Sequence, residues 1–113
     1  QVDLKAFSSK VNSMQRYHVI DNSDSPYDVV SPVDLLLVDT TSGAVTVTLS
    51  SSPSIGDRGM VMDSESNFGT TTLTIDGNGN DIDGSASNFT ISTDDAWAEL
   101  IFVDSTRGWV VRV

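Results

Sequence analysis

The chain has 113 residues, a length that fits one folded domain, and its many Ser, Thr, Asp and Gly residues suit a protein rich in turns. Sixteen acidic and six basic residues give a formal charge of −10, which disfavours binding to nucleic acid or to anionic membranes. Cysteine is absent, which excludes disulfides, thiolate metal sites and a catalytic thiol, so packing or oligomerisation must provide stability.

The beginning of the chain carries no targeting signal that we recognise. A basic stretch followed by an apolar one is missing, so we expect no signal peptide, and Gln1 indicates a fragment or a trimmed chain. The apolar runs are far shorter than the roughly 20 residues needed to cross a bilayer. We therefore expect a soluble protein without membrane insertion.

Residues 1–16 are the first predicted unit, a heptad or stalk-like segment. Apolar residues recur there at steps of three and four, which predicts a short helix with one apolar stripe. So short a helix is marginal alone, and it can pack on its own domain, join other copies in a stalk, or remain a disordered leader. We predict that the stripe is a subunit contact. Its residues are Leu4, Phe7, Val11 and Met14.

Residues 17–113 are the second predicted unit, an all-β domain. Apolar residues alternate with a period of two and turn residues arrive about every 8 to 12 positions, which predicts an antiparallel β-sandwich or jelly-roll-like domain made mostly of hairpins. The predicted strands are Tyr17–Ile20, Asp34–Asp39, Ala44–Leu49, Arg58–Asp63, Thr71–Asp76, Asn88–Ser92, Trp97–Val103 and Gly108–Val113.

Two of these strands differ in their faces. The strand at 44–49 alternates Val or Leu with Thr, so one of its sides is expected to face water. The strand at 97–103 is apolar on both sides, which indicates either a central sandwich strand or a second face covered by another subunit. We predict that Trp97 and Ile101 lie at a subunit interface.

No arrangement of residues indicates catalysis. The one histidine, His18, continues the heptad spacing and is interpreted as a packing residue. Carboxylates are numerous enough for glycoside hydrolysis, but most fall in predicted turns, where Asp bonds its own backbone. Trp97 and Trp109 are candidates for stacking on sugars, yet their different heights on the last hairpin favour packing. We expect no catalytic residue and no cofactor.

The segment from Asp76 to Gly84 opens with the Asp-x-Asn-x-Asn spacing of a calcium-binding loop. Asp81 then stands where that loop requires glycine, and Ser87 where it requires glutamate. We therefore predict no metal site, and instead a hairpin turn in which Gly77 and Gly79 supply positive φ angles. A weak calcium site is the alternative.

Three runs in a fixed order resemble a known module. They are LLLVDTTSGAVTVTLSSSPSIGDRGMVMDS from Leu35, TLTIDGNGNDIDGS from Thr72 and AELIFVDSTRGWVVRV from Ala98. Together they resemble the recurring β-module of bacteriophage tail-fibre, spike and related virion proteins. The resemblance covers residues 35–113 and departs from the family at the closing turn, 104–108, where Gly and Asn are usual.

The resemblance implies a trimeric, β-structured knob on a stalk. The expected function is that of a structural bacteriophage virion protein, a homotrimeric fibre or spike module on the tail or capsid surface, used for host attachment or virion assembly. Its expected partners are copies of itself and other virion proteins, with a host surface glycan as a further candidate. The alternatives are a carbohydrate-binding module and an accessory domain of a phage depolymerase.

Overall fold

The computed structural model describes residues 17–29 and 35–113, and this part of the chain is all-β apart from one 3-10 turn at Asn22–Asp24. The strands are β1 (Tyr17–Ile20), β2 (Tyr27–Asp28), β3 (Leu35–Val38), β4 (Val45–Thr48), β5 (Arg58–Asp63), β6 (Leu73–Asp76), β7 (Phe89–Ile91), β8 (Trp97–Asp104) and β9 (Gly108–Arg112). Each of the eight predicted strands has a counterpart, and β2 was missed. The predicted helix at 1–16 lies outside the described residues.

The strands form two mixed sheets. The five-stranded sheet has the order β1-β3-β5-β8-β9, and the four-stranded sheet has the order β2-β4-β6-β7. Pairing is parallel from β1 to β3 to β5 and from β2 to β4 to β6, whereas the remaining three ladders are antiparallel. The prediction that hairpins make up almost the whole domain is therefore wrong for its first six strands.

Those six strands alternate between the two sheets, so each consecutive pair makes one coil and three coils stack in parallel. Tyr17, Leu35 and Met60 occupy equivalent positions in successive coils. Parallel neighbours need a long crossover connection, and here the crossover contains the strand of the opposite sheet. The result is the winding of a short β-solenoid, closed at one end by antiparallel strands.

An aspartate at or directly after the end of a strand turns the chain at four places. A carboxylate oxygen of Asp21, Asp39, Asp76 and Asp104 accepts a hydrogen bond from the backbone N–H two residues further on, at 2.8 to 2.9 Å. At Asp21, hydrogen bonds from the Ser23 hydroxyl and N–H lower the pKa of the carboxyl group. Such local bonds compete with strand pairing, so they end each strand and start a turn.

Both sheets contribute to one hydrophobic core. The five-stranded sheet provides Leu36, Val38, Val61, Ala98 and Leu100, and the four-stranded sheet provides Val45, Val47, Leu73, Ile75 and Ile91. Near the closing hairpin, Phe102 and Trp109 meet edge to face with their ring centroids 5.6 Å apart. Burying each large apolar side chain stabilises the fold by about 1.5 to 3 kcal/mol, and this offsets the lack of disulfides.

Asp63, the last residue of β5, is a buried carboxylate that holds two loops. It accepts hydrogen bonds from the backbone N–H of Asn67 at 2.8 Å, of Phe68 at 2.9 Å and of Asp95 at 3.0 Å. Burial is the largest single influence and acts to raise the pKa of Asp63. The bonds from Phe68, Asn67, Asp95 and Glu65 together outweigh burial and lower the pKa below its ordinary value.

Replacing Asp63 should therefore destabilise the fold strongly. We expect Asp63→Ala to lower the free energy of unfolding by about 3 kcal/mol, because buried N–H groups lose a charged acceptor. The control Asp28→Ala, at an exposed position of β2, should change it by less than about 0.5 kcal/mol. Urea unfolding measures both values, and a loss under about 1 kcal/mol for Asp63→Ala would contradict the assignment.

The same carboxylate should make the fold sensitive to acid. Its folded pKa lies below the value of about 3.9 for an unfolded chain, so its stabilising effect is complete above that pH and is lost as pH falls through the folded pKa. Asp63→Asn should be less stable at neutral pH and should lose less further stability on acidification than the wild type. Equal losses in both proteins would count against this role.

The start of β9 lies tightly against the segment 81–84. The Trp109 N–H donates to the Asp81 carbonyl oxygen at 2.8 Å, and the Asp83 N–H donates to the Trp109 carbonyl oxygen at 2.7 Å. Gly108 has a φ of +75°, and a Cβ atom there would lie 1.9 Å from the Asp81 oxygen. Only glycine fits this contact.

Substitutions at two glycines separate strain from collision. Gly79 has a φ of +91°, and a Cβ atom there would have no neighbouring atom within 4 Å. Gly79→Ala should therefore lower the free energy of unfolding by about 1 kcal/mol, through the left-handed backbone alone. Gly108→Ala adds a collision with backbone and should cost more than about 3 kcal/mol. Thermal unfolding of the two variants compares them, and equal melting temperatures would refute the tight contact.

Candidate functional site

The outer face of the four-stranded sheet is polar. Its outward residues align across the strands as Thr46, Thr74 and Thr90 in one row and Asp28, Thr48 and Asp76 in the next. The inward residues of the same strands are buried and apolar. This alternation is typical of a sheet with one side in water, and it confirms the predicted wet side of the strand at 44–49.

The outer face of the five-stranded sheet is apolar instead. Its outward residues align as Tyr17, Leu35 and Met60 in one row and Val19, Leu37, Met62 and Trp97 in the next, with Ile101 further along β8. We call these eight residues the apolar face. Tyr17, Val19, Met62 and Trp97 are 62%, 65%, 41% and 51% exposed. A contiguous exposed apolar surface of this kind is a candidate for contact with another molecule.

Few charges interrupt the apolar face. Glu99 lies between Met60 and Arg112 in the strand register, and it forms an ion pair with Arg58, which is opposite Ile101. Both partners of that pair are partly exposed, so its contribution to stability is small. Arg58 compensates the negative charge of Glu99, so this part of the apolar face is neutral.

The structure separates the two tryptophans. Trp109 is 4% exposed and belongs to the core, whereas Trp97 is half exposed and lies on the apolar face. Ile101, half-buried, projects to the same side of β8 as Trp97. The other residues predicted to form a subunit contact, Leu4, Phe7, Val11 and Met14, lie outside the described residues.

Most of the apolar face was not identified from the sequence. Val19, Leu37 and Met62 were missed because a chain of antiparallel hairpins does not place β1, β3 and β5 side by side. A signal was available in the four consecutive apolar residues of β3, which indicate a strand covered on both sides.

His18 lies on the inward side of β1 and is half-buried. Its ring centroid is 6.2 Å from that of Tyr27 on β2, and the two rings are tilted by 44°. The contact joins the first strand of one sheet to the first strand of the other. This geometry agrees with the predicted packing role.

The glycine-rich segment after β6, residues 77–84, is hydrogen-bonded to the preceding coil. The side-chain amide of Asn78 donates to the Leu49 carbonyl oxygen at 3.1 Å, and that of Asn80 donates to the Ser51 carbonyl oxygen at 3.2 Å. These amides serve as donors to the backbone. Two polar residues of the calcium-loop pattern thus have structural partners.

One part of the turn prediction is wrong. Gly79 has a positive φ as expected, but the second left-handed residue is Asn78, with a φ of 53°, and not Gly77. Gly77 is buried in a tight turn, where a Cβ atom would lie 2.2 Å from the Asn80 carbonyl oxygen. Glycine is needed there for space and not for backbone conformation.

Clustered metal ligands and membrane-spanning helices are both absent from the part of the chain that the structure describes. Across residues 17–29 and 35–113, no three His, Asp or Glu side chains converge where a metal ion can bind. In the same part of the chain, no helix is long and apolar enough to span a membrane.

We predict that a chelator leaves the fold unchanged. Asn78 and Asn80 hold the segment through protein–protein hydrogen bonds, which need no ion. The melting temperature in excess EDTA should equal that in buffer to within about 1 °C, where 1 kcal/mol corresponds to about 4 °C or more for this chain length. A lower value that calcium restores would establish a metal site.

Comparison with known proteins adds no assignment. No family model matches the chain, and no curated protein matches it significantly.

Proposed function

We propose that this chain is a structural module of a bacteriophage virion, without enzymatic activity, that works as a homotrimer in a fibre or spike. The observation that carries the proposed self-assembly is the apolar face, an exposed surface on a chain with a formal charge of −10, and the assignment to a virion rests on the sequence resemblance. For so small a domain, other copies of the chain provide a cover more readily than its own residues do.

The finer architecture belongs to the same proposal. The two sheets share one core, which supports a β-sandwich or jelly-roll-like description with solenoid winding. A helix at 1–16 would carry the stripe of Leu4, Phe7, Val11 and Met14 into a stalk. Trimerisation would then use two contacts, the stripe and the part of the domain that contains Trp97 and Ile101.

The work of such a module is geometric. Stacked coils closed by antiparallel strands give a fixed platform, and the turns between the strands can be displayed to a host surface or to another virion protein. The proposed location is the tail or the capsid surface. Other virion proteins and a host glycan are the proposed partners besides the chain itself.

A carbohydrate-binding module is the second candidate, and Trp97 favours it. Its ring is half exposed, and aromatic faces pack well on sugar rings. In this case the chain would be a monomer, and sugar would quench or shift the Trp97 fluorescence. An accessory domain of a depolymerase remains a third reading, which rests on the family resemblance alone.

Molar mass in solution, measured by light scattering, tests the proposal. We expect three chains per particle for the wild type and a smaller particle for Phe7→Asp/Val11→Asp, because two charges would enter the apolar stripe. The control Ser9→Asp/Asn12→Asp adds the same charge at other heptad positions and should leave the mass unchanged. A monomeric wild type that binds glycan would replace the leading proposal with the second candidate.

A further inference from the structure

We infer that copies of this chain meet through the apolar face, which includes the row of Val19, Leu37, Met62 and Trp97. The inference rests on the proposed self-assembly and deepens it by naming both the surface and its occupant, a second copy of the chain. Val19, Leu37 and Met62 join the predicted contact only because the parallel ladders align them with one another and the antiparallel ladder aligns Met62 with Trp97.

The sheet itself indicates that this face is covered. All four residues of β3 are apolar, which is typical of a strand whose two faces are both covered. The four-stranded sheet also contains parallel strands, but its outward rows are Thr and Asp, which tolerate water. The contrast between the two faces shows that the apolar residues are not a general property of this fold.

The distribution of charge favours another copy as the occupant. Sixteen acidic residues less Asp3 and Asp34 leave fourteen in the described part, and six basic residues less three at 1–16 leave three. Of those fourteen acids, only Glu99 lies among the outward residues of the apolar face, and Arg58 neutralises it. Two such acidic bodies repel each other at most surfaces, and repulsion is least where the apolar faces meet.

The composition of the face is that of an interface core. Trp, Tyr, Met and Arg are enriched where proteins meet, and Trp is the residue that most often dominates the binding energy. Trp97 pairs with Met62 in the strand register, so the two exposed side chains lie together. The Arg58–Glu99 pair lies within the face, since Glu99 stands between Trp97 and Ile101 on β8, and its two charges compensate each other there.

The apolar face is smaller than the surface that each partner buries in a standard protein–protein interface. The face lies on four strands about 4.8 Å apart, which span roughly 14 Å, and strands of this length run about 13 to 26 Å, so the face covers on the order of 300 Å². A standard interface buries about 800 Å² on each partner. The face therefore accounts for less than half of a stable contact, and the stripe at Leu4 to Met14 is the expected source of the remainder.

Charge placed on the face tests the inference in the full chain. We expect Trp97→Glu to weaken association at least tenfold, measured as the concentration at which light scattering records half-dissociation. The matched control Thr90→Glu adds the same charge to an exposed position on the polar outer face and should leave association unchanged. Trp97→Phe should retain association, and circular dichroism of every variant verifies that the fold is intact.

Salt provides a second readout. If acidic copies meet at a neutral apolar face, raising NaCl from about 0.05 M to about 0.5 M should strengthen association, because screening removes the repulsion between them. A contact that depends on opposite charges would weaken instead. Weakening by salt would therefore overturn the inference.

The outcomes separate this inference from the proposed function. A wild-type trimer whose mass is unchanged by Trp97→Glu would overturn the inference and leave the trimer standing. A monomeric wild type at every salt concentration would overturn both. A third outcome is a monomer that Trp97→Glu destabilises without any change in mass. The face would then be covered within the chain, for instance by the basic segment 1–16, and the inference would be wrong.

Discussion

The buried carboxylate of Asp63 is the constraint on which the rest of the structure depends. β5 is the last of the three parallel strands in the five-stranded sheet, and Asp63 ends it beside Val38 of the preceding coil. Its oxygens bind the loop that carries the fully buried Phe68 and also the turn at Asp95 that leads into β8. One charged group thus joins the parallel coils to the antiparallel strands that close them. The hydrogen bonds that lower its pKa are the same bonds that fix both loops.

The hydrogen bonds at Asp63 fix the position of β8, and β8 provides Trp97 and Ile101 to the apolar face. The Asp63 N–H donates to the Ala96 carbonyl oxygen at 2.9 Å, which sets the register immediately before Trp97. Met62 and Trp97 are then paired across the ladder, so one row of apolar residues from the three coils continues onto β8 at Trp97, while the neighbouring row meets Glu99. A loosened Asp63 junction would therefore disturb the apolar face as well as the core. Stability and the proposed assembly share one set of contacts.

The strands could be predicted from the sequence, but their pairing could not. Alternation of apolar residues shows which side of a strand faces the core, whereas it carries no information on which strand lies beside it. The repeated pair of an apolar residue and Asp, at Ile20, Val38, Ile75 and Val103, was the available sign of recurring strand ends. The coils differ in length, because the equivalent positions Tyr17, Leu35 and Met60 are 18 and then 25 residues apart. The sequence therefore shows no repeat of constant length. The shared side of Trp97 and Ile101 could be predicted because the pattern of their own strand was sufficient, and their place at a subunit interface stays a prediction. The two-residue β2 is too short for any periodicity to show.

The acidity of the chain has a local origin that bears on its assembly. Aspartate occurs where strands end because its carboxylate binds the backbone of the turn, as at Asp21, Asp39, Asp76 and Asp104. Many acids are therefore concentrated at the rims of the sheets, and the outward positions of the five-stranded sheet remain almost free of them. The same turn chemistry that winds the coils thus produces an acidic rim around a neutral, apolar face. In the proposed assembly, repulsion between these rims would disfavour other contacts between copies, and the neutral face would be the surface at which two acidic copies repel each other least.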